Sequence, residues 1–288
     1  MEQKISIVIP VYNEEKGIAD TILNIQENIK KINEVFEILV VNDGSIDKTG
    51  EILNNFAGVK VINHPFNKGY GASLKTGIRN SNFDKILIVD ADATYPIDKI
   101  SELVKYSRKY EMVIAARIGE KVHMPFFRKI GKKIVGLFAN FALGKRIPDI
   151  NSGFRIFDKK IVLENFHLFP SGFSFTTTLT MIFLINDYNV KFVSINYFKR
   201  TGKSSIKPLK DFFGFLILIT KIVMYYNPLK FFLLPGIIFF MVGIIYFFRN
   251  LILFKDIPDG SIFLILFGIQ IVFTGFLADI LATKRRER

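Results

Sequence analysis

The segment Ile88-Val89-Asp90-Ala91-Asp92-Ala93-Thr94 sets two carboxylates one residue apart directly after an aliphatic run. Two negative charges at the mouth of a buried strand repel a phosphate-rich ligand unless a cation stands between them. Mg²⁺ and Mn²⁺ take oxygen ligands and bridge carboxylates to a diphosphate, so Asp90 and Asp92 are candidate metal ligands and a diphosphate is the candidate leaving group. A lone D-x-D triplet also serves as a helix cap; its place after a buried run favours the metal. Basic groups supply the other half of the chemistry. Arg117, Arg155 in Asp149-Ile150-Asn151-Ser152-Gly153-Phe154-Arg155, and Lys199-Arg200-Thr201-Gly202-Lys203-Ser204-Ser205 are separated in sequence yet can meet over one rim. Arginine forks match phosphate oxygens. An acceptor bearing its own phosphate also has little need of a general base, because that oxygen is ionised near neutral pH.

These groups need a scaffold. Ile5–Val11, Phe36–Val41, Val59–Asn63, Lys85–Val89 and Met112–Ala115 are short and nearly all apolar, which predicts parallel strands buried on both faces and covered by helices. Helical segments are expected at Ile18–Lys31, Lys48–Phe56, Gly71–Arg79 and Ile97–Arg108, with Asp47 as an N-cap. The alternation predicts a doubly wound α/β domain, whose ligands bind beyond the carboxyl ends of the strands. The polar motifs fall there: Asn13-Glu14, Asn42-Asp43-Gly44-Ser45, Asp90-Ala91-Asp92 and Arg117. The first turn, Pro10-Val11-Tyr12-Asn13-Glu14, has no G-x-G-x-x-G, and no Walker pattern occurs, which disfavours nicotinamide and P-loop chemistry. Lys68-Gly69-Tyr70-Gly71-Ala72 reads either as a phosphate loop or as a plain tight turn. Further on, Phe173–Asn186 reads as a helix and Val190–Tyr197 as a strand. His64, His123 and His167 lack metal-ligand spacing and suit surface or packing roles.

Charge and hydropathy are unevenly spread. The 288 residues carry a net charge of +13, half are hydrophobic, and mean hydropathy is +0.30. Cysteine is absent, which excludes disulfides and thiol nucleophiles. Phe231–Phe248 is 18 residues and Gly260–Ala278 19 residues without a formal charge, enough at about 1.5 Å per residue to cross most or all of a hydrocarbon core. The link between them is charge-balanced, whereas Lys207, Lys210, Lys221 and Lys230 precede them and Lys284-Arg285-Arg286-Glu287-Arg288 follows. The positive-inside rule then puts the N-terminal domain and the C-terminus of a multi-pass membrane protein in the cytoplasm. The expected organisation is a catalytic domain over 1–206, an interfacial segment over 207–228, two spans within 229–281 (near 231–249 and 260–280), and a basic tail over 282–288. His123–Gly144, with Arg128, Lys129, Lys132 and Lys133, reads as an amphipathic helix on anionic lipid headgroups or as a solvated helix on the sheet. Nucleic acid is disfavoured as a partner, because the basic residues lie beside apolar segments and no nucleic-acid module accompanies them. A hairpin leaves homo-oligomerisation open.

In Ile7-Val8-Ile9-Pro10-Val11-Tyr12-Asn13-Glu14, Val41-Asn42-Asp43-Gly44-Ser45, Asn67-Lys68-Gly69-Tyr70-Gly71-Ala72 and Asp90-Ala91-Asp92, the chain resembles family 2 glycosyltransferases of the GT-A fold. Asp149–Arg155, Phe173-Ser174-Phe175-Thr176 and Lys199–Ser204, followed by paired apolar segments, extend the likeness over essentially the whole chain. They resemble the polyprenyl-phosphate sugar synthases, including the dolichyl-phosphate mannose and glucose synthases. The resemblance implies a Rossmann-like nucleotide-sugar-binding domain and metal-dependent, inverting transfer of a hexose from UDP-glucose or GDP-mannose to polyprenyl phosphate. By that likeness Pro10, Tyr12 and Glu14 line the nucleoside pocket and Asp43 contacts its base or ribose. Lys68, Asp90, Ala91 and Asp92 complete the nucleotide-sugar site, with Asp92 nearer the Mg²⁺ or Mn²⁺. Arg117, Arg155 and Arg200 would grip the acceptor phosphate, with Ser152 and Ser204 donating hydrogen bonds. Many relatives carry Gln where this chain has Thr94, and Lys where it has Ser205. A membrane-bound family 2 enzyme acting on a lipid-linked glycan or diacylglycerol is the alternative. A processive polysaccharide synthase is disfavoured, since its Q-x-x-R-W motif needs a Trp that this chain lacks.

Overall fold

The apolar runs assemble into one sheet. The computed structural model describes residues 2–122, 140, 147–172, 174–198 and 208–286, and it divides into two units, Met1–Leu218 and Ile219–Arg288. The first unit holds strands β1 (Lys4–Val11), β2 (Val35–Asn42), β3 (Val59–Asn63), β4 (Lys85–Ile88), β5 (Met112–Val122), β6 (Arg155–Asp158) and β7 (Val190–Tyr197), in the order β3-β2-β1-β4-β6-β5-β7. Helices α1 (Ile18–Ile29), α2 (Thr49–Leu53), α3 (Tyr70–Asn80) and α4 (Ile100–Ser107, entered through a 3₁₀ turn at Ile97–Lys99) follow the early strands. Helices α5 (Lys159–Glu164) and α6 (Phe175–Ile185) lie between β6 and β7.

Burial explains the pairing. Ile5, Ile7 and Ile9 join a single core with Ile18, Ile22 and Ile25 of α1 and with Ile100, Leu103 and Val104 of α4, whose spacings define one helical face. On the other side of the sheet, Gly77 of α3 packs so closely on Val8 that a side chain there would overlap it.

The sheet is mixed, not all-parallel as expected. β6 runs antiparallel between β4 and β5, with Arg155 opposite both Ile88 and Ile114. An apolar run reports burial on both faces but not direction, and four-residue β6 is bounded by Arg155 and Asp158, the latter paired with Lys85 at 2.5 Å. β5 also continues past its expected end at Ala115 to Val122. The helix expected at Lys48–Phe56 is trimmed to α2, where the Asp47 carboxylate accepts the Thr49 N–H at 3.0 Å.

The topology creates a crevice. The chain steps outward from β1 to β2 and β3, then returns to β4 on the opposite side of β1, and ligands of open α/β sheets bind at such a switch point. β4 pairs with β1 only up to Val8↔Ile88, whereas β2 follows β1 to Val11. Pro10 therefore lies where β1 has lost its β4 neighbour and a missing N–H breaks no bond on that side.

Helix α7 (Pro208–Tyr226) leads into the second unit, where Ile219, Ile222, Val223 and Tyr226 form a buried stripe. α8 (Pro228–Phe254) and α9 (Asp259–Arg286) then pair with each other, both reaching beyond the expected spans. Each is long and apolar enough to cross a membrane, and most of each apolar stretch is not buried within the protein. Their close approach runs through glycines. A Cβ at Gly268 would lie 2.6 Å from the Phe240 backbone nitrogen, and one at Gly243 2.8 Å from that of Ile265; Gly236 and Gly275 are as tightly met by Val272 and Phe232. Small residues of this kind let membrane helices pack backbone to backbone. Gly268→Leu is expected to destabilise the hairpin by about 1–3 kcal/mol, measurable as a lower unfolding midpoint in detergent; an unchanged midpoint contradicts the packing described.

Candidate active site

The crevice rim is braced before any ligand arrives. After β1, the Asn13 N–H donates to Ser45 Oγ (3.0 Å), Asn13 Oδ1 accepts from the Ile46 N–H (2.9 Å), and the Glu14 N–H donates to Thr49 Oγ1 (2.9 Å). These bonds tie the β1–α1 loop to the β2–α2 loop. On the β4 side, Thr21 Oγ1 donates to the Ala91 carbonyl (3.1 Å), and Gly17 leaves only enough room for the backbone of Ala91 and Asp92. Tyr12 and Glu14 are half-buried at this rim, and Pro10 is buried beneath it.

Asp90 and Asp92 leave β4 on a turn whose next residue, Ala93, has φ +55. A left-handed alanine costs about 1–2 kcal/mol, a strain that re-aims the chain at this point. Asp92 is buried, and its Oδ1 accepts from Thr94 Oγ1 (2.6 Å) and the Thr94 N–H (3.3 Å). Asp90 is half-buried, and its Oδ1 accepts from the Tyr70 hydroxyl at 2.8 Å. Burial, and then the charge of Asp90, hold the Tyr70 hydroxyl well above its ordinary pKa, so it stays a protonated donor. Gly153 abuts the same carboxylate from the neighbouring loop: a Cβ there would lie 2.5 Å from Asp90 Oδ1 and overlap Oδ2.

The donor set fits a hard divalent cation. Among the described residues no third His, Cys, Asp or Glu joins a cluster with these two carboxylates. Mg²⁺ and Mn²⁺ suit such sites, in which one or two carboxylates share the ion with ligand phosphates and water.

Asp43 is placed as a hub. It is 3% exposed and accepts from the Lys68 N–H (2.9 Å), the Gly69 N–H (2.8 Å) and His64 Nδ1 (2.6 Å). His64 Nε2 in turn meets Thr76 Oγ1 at 2.9 Å, a packing role as the sequence suggested. The Lys68 side chain is exposed, its ammonium 5.7 Å from the Phe66 ring centre.

The basic residues divide. Arg117 forks onto Asp149, with Nε 2.7 Å from Oδ2 and Nη2 2.9 Å from Oδ1, and its backbone N–H adds a third bond at 3.0 Å. Burial would lower its pKa; the Asp149 charge outweighs that and holds the guanidinium well above its ordinary value. Its carbon lies 5.3 Å from the centre of the Tyr197 ring.

Arg155 is placed otherwise than expected. It is fully buried, and its N–H groups are spent on protein. Nε donates to Ser152 O (2.8 Å), Nη1 to Thr176 O (3.1 Å) and Thr180 Oγ1 (2.8 Å), and Nη2 to Ile150 O (3.4 Å) and Ser152 O. Burial lowers its pKa to about 10. Ser152 is also fully buried, donating to the Ala115 carbonyl at 2.6 Å. As placed, both hold the 149–155 loop through bonds to protein. Arg200 and Ser204 lie outside the described residues, as does most of the expected amphipathic segment at 123–144.

Sequence reasoning missed Tyr70 and Gly153 as site residues. Each stands inside a motif already singled out, and the available signal was an aromatic between two glycines and a glycine four residues after Asp149. Tyr95 was missed too: its hydroxyl accepts the Gly153 N–H at 2.7 Å, and burial raises its pKa well above the usual phenol value.

Residues 6–166 match the model of Glycosyl transferase family 2, and residues 227–283 that of the GtrB C-terminal hairpin. A dolichyl-phosphate beta-glucosyltransferase of Trichomonas vaginalis is 32% identical over 174 residues, 54% of this chain and 52% of that one. An undecaprenyl-phosphate 4-deoxy-4-formamido-L-arabinose transferase of Pectobacterium atrosepticum is 30% identical over 166 residues, 56% of this chain and 50% of that one. The chain thus spans about half the length of these curated relatives. Among solved structures, glucosyl-3-phosphoglycerate synthase from Mycobacterium tuberculosis in complex with Mn²⁺, uridine-diphosphate and phosphoglyceric acid superposes with a TM-score of 0.60. Sequence identity is 17%, and the match covers 77% of this chain and 78% of that one. At that identity the likeness carries the fold, which is of the GT-A type.

Arg155→Ala should destabilise the domain by on the order of 3 kcal/mol, because it leaves buried carbonyls without donors. A thermal melt checks this; an unaltered melt combined with a selective rise in acceptor KM would return Arg155 to the phosphate site.

Proposed function

This chain belongs to glycosyl transferase family 2, and we propose that it transfers a hexose from a nucleotide sugar, UDP-glucose or GDP-mannose, to polyprenyl phosphate with inversion. The observation that carries the proposal is the Asp90–Asp92 carboxylate pair at the β1/β4 crevice, in a chain that ends in an apolar helical hairpin. The relatives named for dolichyl and undecaprenyl phosphate support the choice of acceptor.

In this reading Pro10, Tyr12 and Glu14 flank the nucleoside, with Asp43 beneath it holding the Lys68–Gly69 turn. Lys68 reaches the nucleotide from the exposed end of that turn. Asp90 and Asp92 face the diphosphate, and Ala91 presents backbone between them. A bound Mg²⁺ or Mn²⁺ would neutralise charge on the departing diphosphate. The bond from the anomeric carbon to the diphosphate breaks as a new bond forms to a phosphate oxygen of the acceptor on the opposite face. Already ionised, that oxygen needs orientation more than proton removal, and orientation is where fixed cations act. Arg117, locked to Asp149 through one edge, can turn only its remaining N–H groups to the acceptor. Arg200 and Ser204 supply the rest of the acceptor contacts.

The hairpin anchors the enzyme in the membrane that holds its acceptor, with catalytic domain and C-terminus on the cytoplasmic side by the distribution of basic residues. Anionic headgroups are the expected neighbours of the basic segments flanking it.

The test is transfer of labelled sugar in detergent with Mn²⁺, offering UDP- and GDP-sugars against polyprenyl phosphate. A single mild-acid-labile product in the organic phase is expected. Label confined to the aqueous phase with every donor, while nucleotide still binds, removes polyprenyl phosphate as acceptor. Asp92→Ala should reduce turnover by about 100-fold or more, and undiminished turnover in EDTA would refute the metal. Arg200→Ala should raise the KM for polyprenyl phosphate more than that for nucleotide sugar; equal effects would misplace the acceptor site.

A further inference from the structure

We infer that Tyr70 and Gly153 are positioning residues for Asp90, forming a slot that fixes the orientation of its carboxylate for the cation and diphosphate. The inference rests on the proposed nucleotide-sugar site and deepens it, since neither residue would touch substrate or metal.

Each wall of the slot is anchored separately. Tyr70 opens α3, directly after Gly69, whose φ of +102 allows the chain to turn there. The backbone on its N-terminal side is held by Asp43, which takes the N–H groups of Lys68 and Gly69 at 2.9 and 2.8 Å. On its C-terminal side the Ala72 N–H donates to Ser171 O at 3.0 Å, and Gly71 packs directly on the carbonyls of Pro170 and Gly172. The phenol therefore projects from a fixed base and donates to Asp90 Oδ1 at 2.8 Å.

The opposite wall is backbone. Gly153 meets both oxygens of Asp90 so closely that even a methyl group would displace the carboxylate. Its own N–H is held by the Tyr95 hydroxyl at 2.7 Å, and Tyr95 is wedged between Phe154 and Tyr197, with ring centres 5.6 and 5.3 Å away. Asp90 is thus oriented by a hydroxyl on one side and by a forbidden volume on the other. A site whose ligands among the described residues are two carboxylates depends on their aim more than a closed cage does, and groups that orient a ligand commonly alter metal affinity about 10–100-fold when removed.

Tyr70→Phe removes the hydroxyl and keeps the ring; Gly153→Ala keeps every hydrogen bond and removes the space. Mn²⁺ binding to the full chain in detergent is measured by the EPR signal of the free ion, with and without UDP or GDP, alongside nucleotide binding in EDTA and thermal melting. Both variants should weaken Mn²⁺ binding in the presence of nucleoside diphosphate by about 10-fold, with metal-free nucleotide affinity and melting temperature near wild type. The Mn²⁺ concentration giving half-maximal turnover should rise in step, and saturating Mn²⁺ should restore most of the rate. Mn²⁺ affinity within about twofold of wild type in a folded Tyr70→Phe and a folded Gly153→Ala overturns the inference while leaving the proposed function standing. Where only one variant folds, that one decides. Wild-type protein that binds neither Mn²⁺ nor nucleotide overturns the proposed function and this inference together.

Discussion

The antiparallel entry of β6 between β4 and β5 is the constraint from which the crevice takes its shape. With Arg155 in register with Ile88 and Ile114, the residues just before it must rise past the carboxyl end of β4, where Asp90 and Asp92 emerge. That register brings Gly153 against Asp90 and Ser152 under Ala115, and it hands Arg155 the carbonyls of its own loop. Burying a guanidinium costs several kcal/mol. Charge-assisted hydrogen bonds of about 1.5–3 kcal/mol each offset that cost when all the donors are used, as they are here. The buried arginine makes the loop rigid, and the rigid loop defines one side of the site.

Four aspartates stand near this rim, and their partners assign them different work. Asp43 and Asp149 are almost wholly buried and take their donors from the protein: backbone N–H groups and His64 for the first, the Arg117 fork for the second. They organise loops. Asp90 and Asp92 accept from Tyr70 and Thr94, neutral hydroxyls that orient a carboxylate without cancelling its charge. A cation bound there would meet two carboxylates in a partly desolvated setting, where attraction is stronger than in water. Thr94 donates to Asp92 through both its hydroxyl and its backbone N–H.

Much of this was legible in the sequence. Five apolar runs located β1 to β5, their alternation with helices placed ligands beyond the carboxyl ends of the strands, and two uncharged stretches located the hairpin. β6 escaped because Arg-Ile-Phe-Asp is too short for a period and begins and ends with charge. The burial of Arg155 left no mark in its polar motif, because it depends on Thr176 and Thr180 some twenty residues on. Tyr70 and Gly153 were hidden for the same reason: their meaning lies in Asp90, on another loop. The family match agrees with the motifs in Ile7–Glu14 and Asp90–Asp92, and the hairpin match with the apolar stretches.

The measurement that bears most directly on the account is the position of Mn²⁺ bound together with UDP or GDP, read from manganese anomalous scattering or a cryo-EM map of the full chain. The account predicts the ion coordinated by Asp92, with Asp90 facing it and the diphosphate completing its shell inside the β1/β4 crevice. A nucleotide seated outside that crevice, or an ion bound without either carboxylate, would contradict it.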